Sequence, residues 1–193
     1  MTDPTDTVAA APPLRIAHTF ELRPAERAGA RALMDAAFDG DFSDEDWDHG
    51  LGGVHAFVRA ADGTFLAHGS VIQRRVLHRG RSYRVGYVEA VAVRPGLRRQ
   101  GLGGRVMAAL ERVIDGAYDL GALSASDDGA PLYRARGWRL WEGTIGTLGP
   151  GGVVRLPDEE DSTYLRPVAG RPLPGGGGPS GVLVFDWREG DVL

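Results

Sequence analysis

The spacing of apolar residues alternates between two and three-to-four along the chain, and each switch marks a change of element. Residues 14–19 read as a first strand. Over 24–39, Ala25, Ala28, Ala32, Leu33 and Ala36 recur at helical spacing. Ser43, with Asp46 three residues on, forms a capping-box pattern, and Asp44 and Glu45 suit the first turn of a short second helix. Residues 54–60 read as a strand closed by the hairpin signal Asp62-Gly63. Residues 65–78 and 82–93 read as two long strands joined across Arg79-Gly80-Arg81, an antiparallel meander. Arg94-Pro95-Gly96 ends it, because proline cannot continue the ladder.

The pattern then changes. Arg98-Arg99-Gln100-Gly101-Leu102-Gly103-Gly104 is a basic, glycine-rich loop. It leads into a helix on which Val106, Met107, Leu110, Val113 and Ile114 share one face. Residues 120–124 predict a short buried strand, 130–136 a second helix stopped by Gly137, and 138–141 the start of another strand. Residues 149–161 form a glycine- and acid-rich loop, 164–167 and 182–187 further strands, and 174–179 a glycine-rich surface insertion. A meander followed by strand, loop, helix, strand, helix and strand is a mixed α/β pattern. The helical crossover implies a parallel pair in the middle of the sheet.

At 193 residues the chain suits one domain, expected over 14–193 after a disordered lead at 1–13. A net charge of −4 gives no polyelectrolyte argument for nucleic acid. There is no cysteine, which excludes disulfides, thiolate metal sites and a cysteine acyl-enzyme. No apolar run reaches membrane-spanning length and the first residues lack a signal-peptide pattern, so a cytoplasmic protein away from membranes is expected. His49, His55, His68 and His78 lack metal-ligand spacing, and no metal is implied.

The glycine loop carries the candidate chemistry. Between a strand and a helix, glycines let the backbone approach a ligand and leave first-turn N–H groups unpaired, an anion site suited to a pyrophosphate. Arg98 and Arg99 would add charge-assisted hydrogen bonds. A Walker loop does not fit, because no Lys-Ser or Lys-Thr follows the glycines. A dinucleotide fingerprint does not fit either, because the loop follows a meander rather than opening the chain.

Arg98-x-x-Gly101-x-Gly103 does resemble the acetyl-CoA loop of the GNAT superfamily. So does the preceding Val91-Ala92-Val93-Arg94-Pro95, and Leu132-Tyr133-Arg134-Ala135-Arg136-Gly137-Trp138 is similar to that superfamily's later tyrosine helix. Rarer strings resemble the aminoglycoside 2′-N-acetyltransferases of mycobacteria and their relatives. They include Gly40-Asp41-Phe42-Ser43-Asp44-Glu45-Asp46-Trp47, Gly86-Tyr87-Val88-Glu89 and Asp186-Trp187-Arg188-Glu189-Gly190-Asp191-Val192. The resemblance runs from about residue 16 to the C-terminus. Three departures stand out: Ala90 where glycine is common, Leu193 where members often end in tryptophan, and the glycine run at 175–178.

The resemblance implies a GNAT fold with a central parallel strand pair splayed around acetyl-CoA, and acetyl transfer to an amine by direct attack. It assigns cofactor binding to Val91, Ala92, Val93, Arg98, Arg99, Gln100, Gly101, Leu102, Gly103 and Gly104. Glu89 is the implied base, directly or through water, and Tyr133 the implied acid for the departing thiolate. A polycationic aminosugar would meet Asp41, Asp46, Glu89, Ala90, Ser124, Asp158, Glu159, Asp191 and Leu193. Asp46 has the alternative of only completing the cap with Ser43, and 158–161 that of a solvated acidic loop. The family also implies a homodimer. Two other readings stay open: a GNAT enzyme acting on a metabolic aminosugar or thiol-precursor amine, and a non-catalytic acyl-CoA sensor.

Overall fold

The computed structural model describes residues 11–175, 181–190 and 192–193, so the expected lead falls almost wholly, and the glycine insertion mostly, outside the described residues. The elements are β1 (Leu14–His18), α1 (Pro24–Ala37), α2 (Asp44–His49), β2 (Val54–Arg59), β3 (Phe65–His78) and β4 (Arg81–Val93). They continue as α3 (Leu102–Ala117), β5 (Leu120–Ser124), α4 (Ala130–Ala135), β6 (Arg139–Leu140), β7 (Thr144–Gly149) and β8 (Gly152–Arg155). β9 (Thr163–Pro167) and β10 (Val182–Asp186) complete the order.

The expected meander is present. Arg79 and Gly80 both have positive φ, 48° and 76°, in the tight turn between β3 and β4. β4 and β5 form the expected parallel pair across the α3 crossover, paired only at Val85–Leu120, Gly86–Gly121 and Tyr87–Ala122. Beyond Tyr87 the two strands part. The long β3 also divides its partners: β2 pairs with Phe65 to Val71, and β10 with Val76 and Leu77. One sheet therefore opens at its centre.

Two features differ from the sequence reading, and the expected last strand gains a place in the sheet. The strand expected at 138–141 is only the two residues of β6. The stretch 149–161 is not all loop, because β8 lies within it and pairs with β7, itself an unexpected strand. β10 enters between β3 and β7, antiparallel to one and parallel to the other.

α3 packs its apolar face over β2, β3 and β4, burying Val106, Met107, Leu110 and Ile114 with Ala56, Val58, Val71 and Val88. Gly69 on β3 permits this approach, since a Cβ there would sit 3.0 Å from Val106 and 3.1 Å from Leu110. A second cluster, including Tyr87, Trp141, Ile145, Leu165, Phe185 and Leu193, fills the other half. No helix among the described residues is long and apolar enough to cross a membrane.

Candidate active site

The opening begins at a β-bulge. Ser70 pairs with Glu89 and His68 with Ala92, so Ala90 and Val91 together face Gly69 alone. Ala90 carries the bulge with φ 50°, a left-handed conformation that costs a residue with a Cβ roughly 1 kcal/mol. This is the physical reason glycine suits the position. The carbonyl of Ala90 accepts a hydrogen bond from His68 Nδ1 at 3.1 Å, which fixes the bulge from the β3 side.

A cleft of about 440 Å³ lies beside it, lined by Ala37, Phe38, Val91, Ala92, Val93, Arg98, Arg99, Gly101, Gly103, Gly104 and, across the gap, residues of α4 and its approach. Of the residues expected to hold the cofactor, Gln100 and Leu102 are not in this lining. Gln100 turns its amide to the carbonyl of Gly96, and Leu102 packs into the core. Arg98 donates to the carbonyl of Ala37 at 3.0 Å, tying the loop to the end of α1. Leu132, from the tyrosine-helix string, lines the cleft too, as do Ala37, Phe38, Ser126, Asp128 and Gly129, which were not singled out. Only Ser126, Asp128 and Gly129 carried a signal, a small polar run ahead of a helix.

Gly101, φ 80°, is the N-cap of α3 and offers no side chain to cap it. Its first-turn amides are thus not taken by a cap, and at Gly101, Gly103 and Gly104 no Cβ stands before them. The residues present fit a pyrophosphate. Among the described residues, no group of three or more His, Asp or Glu is arranged to hold a metal.

Tyr133 closes the other side of the cleft. Glu111 on α3 accepts from Arg136 Nε at 2.8 Å and from Trp138 Nε1 at 2.9 Å, and Trp138 meets the Tyr133 ring edge-on at 6.2 Å. This buried carboxylate anchors the end of α4 to α3. Burial pushes the Tyr133 phenol up to about 12, so the group stays a proton donor at neutral pH.

Glu89 is largely buried at the edge of the opening. Its Oε1 accepts from Arg188 Nη1 at 2.5 Å. Burial raises its pKa, and the Arg188 guanidinium opposes that rise. Ser124 Oγ lies 2.8 Å from Glu159 Oε2, and Ser162 Oγ, not anticipated from the sequence, lies 2.6 Å from the same oxygen. Asp46 completes the capping box with Ser43, each side chain bonding the other's backbone N–H. Asp41 and Asp158 are exposed, and the Leu193 side chain is buried near Tyr87. Asp191 lies outside the described residues.

A mixed sheet parted at a bulge, with an uncapped glycine-rich helix start facing the gap, defines the acyl-CoA N-acyltransferase class of fold. A family model for the acetyltransferase (GNAT) domain matches residues 20–141. An aminoglycoside 2′-N-acetyltransferase of Mycolicibacterium fortuitum is 48% identical over 180 residues, 92% of this chain and 90% of that protein. Among solved structures, the Escherichia coli GNAT family N-acetyltransferase YhbS in complex with CoA aligns over 98% of this chain and 94% of its own, at TM-score 0.66 and 18% identity. A GNAT family acetyltransferase from Brucella melitensis in complex with acetyl-CoA aligns over 85% and 93%, at TM-score 0.55 and 18% identity. The chain belongs to the GNAT acetyltransferase family.

Proposed function

We propose that the protein transfers the acetyl group of acetyl-CoA to the 2′-amino group of an aminoglycoside, with residues 14–193 acting as one catalytic domain. The observation that carries this reading is the 48% identity, over 92% of the chain, to an aminoglycoside 2′-N-acetyltransferase. The geometry is compatible with it. The cleft walls of Val91, Val93 and the α3 start hold the acetyl-CoA, with main-chain amides toward its phosphates and pantetheine. Glu89, at the lip of the opening, takes the proton of the attacking amine, directly or through water. Tyr133 donates toward the departing sulfur. The chain has no cysteine to carry an acyl intermediate, which favours direct attack in a ternary complex.

The carboxylates of Glu89, Glu159, Asp158, Asp46 and Asp41 supply negative charge for a polycationic substrate. Acetylation removes one of the several ammonium charges of the antibiotic, and resistance is the expected consequence. The cosubstrate implies a cytoplasmic location. A homodimer suits the β8 edge, where Val153 is 61% and Val154 48% exposed.

A thiol-release assay tests the reading. Purified protein is given acetyl-CoA and matched aminoglycosides with and without a 2′-amine. Free CoA should appear only with the former. No release with any amine, or equal rates on both, would overturn the reading.

A further inference from the structure

Arg188 lies on the segment after β10, ninety-nine positions beyond the carboxylate it holds. Both partners are largely buried, at 14% and 15% exposure. Its Nε donates to the carbonyl of Val192 at 2.9 Å, and its guanidinium lies 5.4 Å from the centre of the Tyr87 ring. A second guanidinium shares these neighbours. Arg74 donates to the same Val192 carbonyl at 2.5 Å and lies 5.0 Å from the same ring.

The two arginines are held differently. Arg74 is 3% exposed and is also bonded to Asp186 Oδ1 at 2.8 Å and to the Asp186 carbonyl at 2.6 Å. Arg188 has Glu89 as its sole carboxylate among the described residues, and it sits where Arg74 repels it. Two hydroxyls beside the pair, Ser70 Oγ opposite Glu89 on β3 and Tyr87 Oη two residues before it on β4, are buried with no hydrogen-bond partner among the described residues.

A guanidinium and an ammonium are the same kind of ligand to a carboxylate, cationic N–H donors. We propose, resting on the reading that Glu89 receives the substrate amine, that Arg188 is a placeholder for that amine and thereby a specificity determinant. In the ligand-free protein it keeps Glu89 paired and ionised. An incoming ammonium replaces it on the carboxylate, and the guanidinium withdraws toward solvent on its irregular segment. A substrate with several charges, drawn also by the acidic groups at 158–159, displaces it. An amine with one charge does not.

Glu89 is faced by Arg188 from the tail, Arg74 from β3, His49 from α2 and Tyr87 from its own strand, so removing Arg188 changes one charge among these. The test compares Arg188→Gln and Arg188→Lys with the unaltered protein, following kcat/KM and kcat against pH with a 2′-amino aminoglycoside. The kcat/KM profile reports the ligand-free enzyme and kcat the complex. In R188Q the acidic limb of kcat/KM should move up by about one pH unit or more, while the limb of kcat stays in place. R188K should keep both limbs near their original positions. The preference for the aminoglycoside over glucosamine should narrow at least about tenfold in R188Q.

Limbs that shift together would mean that Arg188 stays on Glu89 throughout, and unmoved limbs that it has no part in the charge state; either overturns the proposal. A crystal of the unaltered protein with CoA and a 2′-amino aminoglycoside needs no variant to fold. Arg188 must there be off Glu89, and a persisting bond overturns the proposal. Failure of the underlying reading shows separately, as an undiminished rate in Glu89→Gln.

Discussion

Ring nitrogens of His55 and His68 lie 3.0 Å apart inside the core, in a chain that begins at Thr19 and ends on the carbonyl of Ala90. The carbonyl only accepts, so His68 Nδ1 carries a proton and its Nε2 is bare. His55 Nδ1 therefore donates to His68, and His55 Nε2 lies 2.7 Å from the Thr19 hydroxyl, which also lies 3.2 Å from the Gly53 carbonyl. A proton added to His68 Nε2 would set it against the N–H of His55.

The chain predicts an acid-sensitive fold. Burial, with the neighbouring His68, holds His55 down to about 3, and burial holds His68 down to about 4 against its bond to the Ala90 carbonyl, both from an ordinary 6.5. The unfolded chain takes up these protons as pH falls through 6.5, and the folded chain does not until near 4. Stability is therefore full above 6.5 and declines below it, by roughly 3 kcal/mol at pH 4 for His68 alone. Urea unfolding between pH 7.5 and 4.5 measures the slope. A flat profile would show that the rings are not held neutral.

Glu89→Gln should lower kcat by about 10²- to 10⁴-fold at neutral pH, since the amide cannot take a proton. Acetyl-CoA affinity, read by titration calorimetry, should change little, because Glu89 does not line the cleft assigned to it.

For Tyr133→Phe, kcat should fall about 10- to 100-fold, with acetyl-CoA binding again close to that of the unaltered protein. A phenol held near 12 should leave no basic limb of its own in the pH–rate profile below about pH 11. Pre-steady-state release of CoA distinguishes slowed chemistry from slowed product departure.

Replacing Glu111 by Ala would strand both the Arg136 guanidinium and the Trp138 N–H. Because Arg136 is partly exposed, the loss should lie near the low end of the range for such pairs, about 3 kcal/mol. Calorimetry should record a fall in Tm of roughly 6–12 °C. The variant should also turn over more slowly, as Trp138 packs on Tyr133.

Much of this was legible in the sequence, for reasons that can be named. The meander, α3 and the parallel β4–β5 pair follow from period changes, a glycine-bearing turn and a crossover helix. Most of the cleft lining follows from the loop at 98–104. β7 was hidden because its glycines break the apolar rhythm, yet packing demands at least one of them: a Cβ on Gly146 would come within 2.9 Å of the Val154 carbonyl. β8 was hidden because all its residues are exposed, which leaves no alternation to read. The Glu89–Arg188 pair and the placing of β10 beside β3 join residues about a hundred positions apart, and local spacing carries no trace of such contacts. Ala90 was visible only as an odd substitution until its positive φ gave the reason.

The bulge at Ala90 also sets a boundary between two inheritances. The wall on its C-terminal side is drawn mainly from one contiguous stretch, 91–133, whereas Glu89 on its N-terminal side is met by His49, Arg74 and Arg188 from three scattered regions. Exchanging the tail or α2 can thus retune which acceptor is admitted while the grip on the thioester carrier stays as it is. A lineage, or an engineer, has two dials here that turn independently.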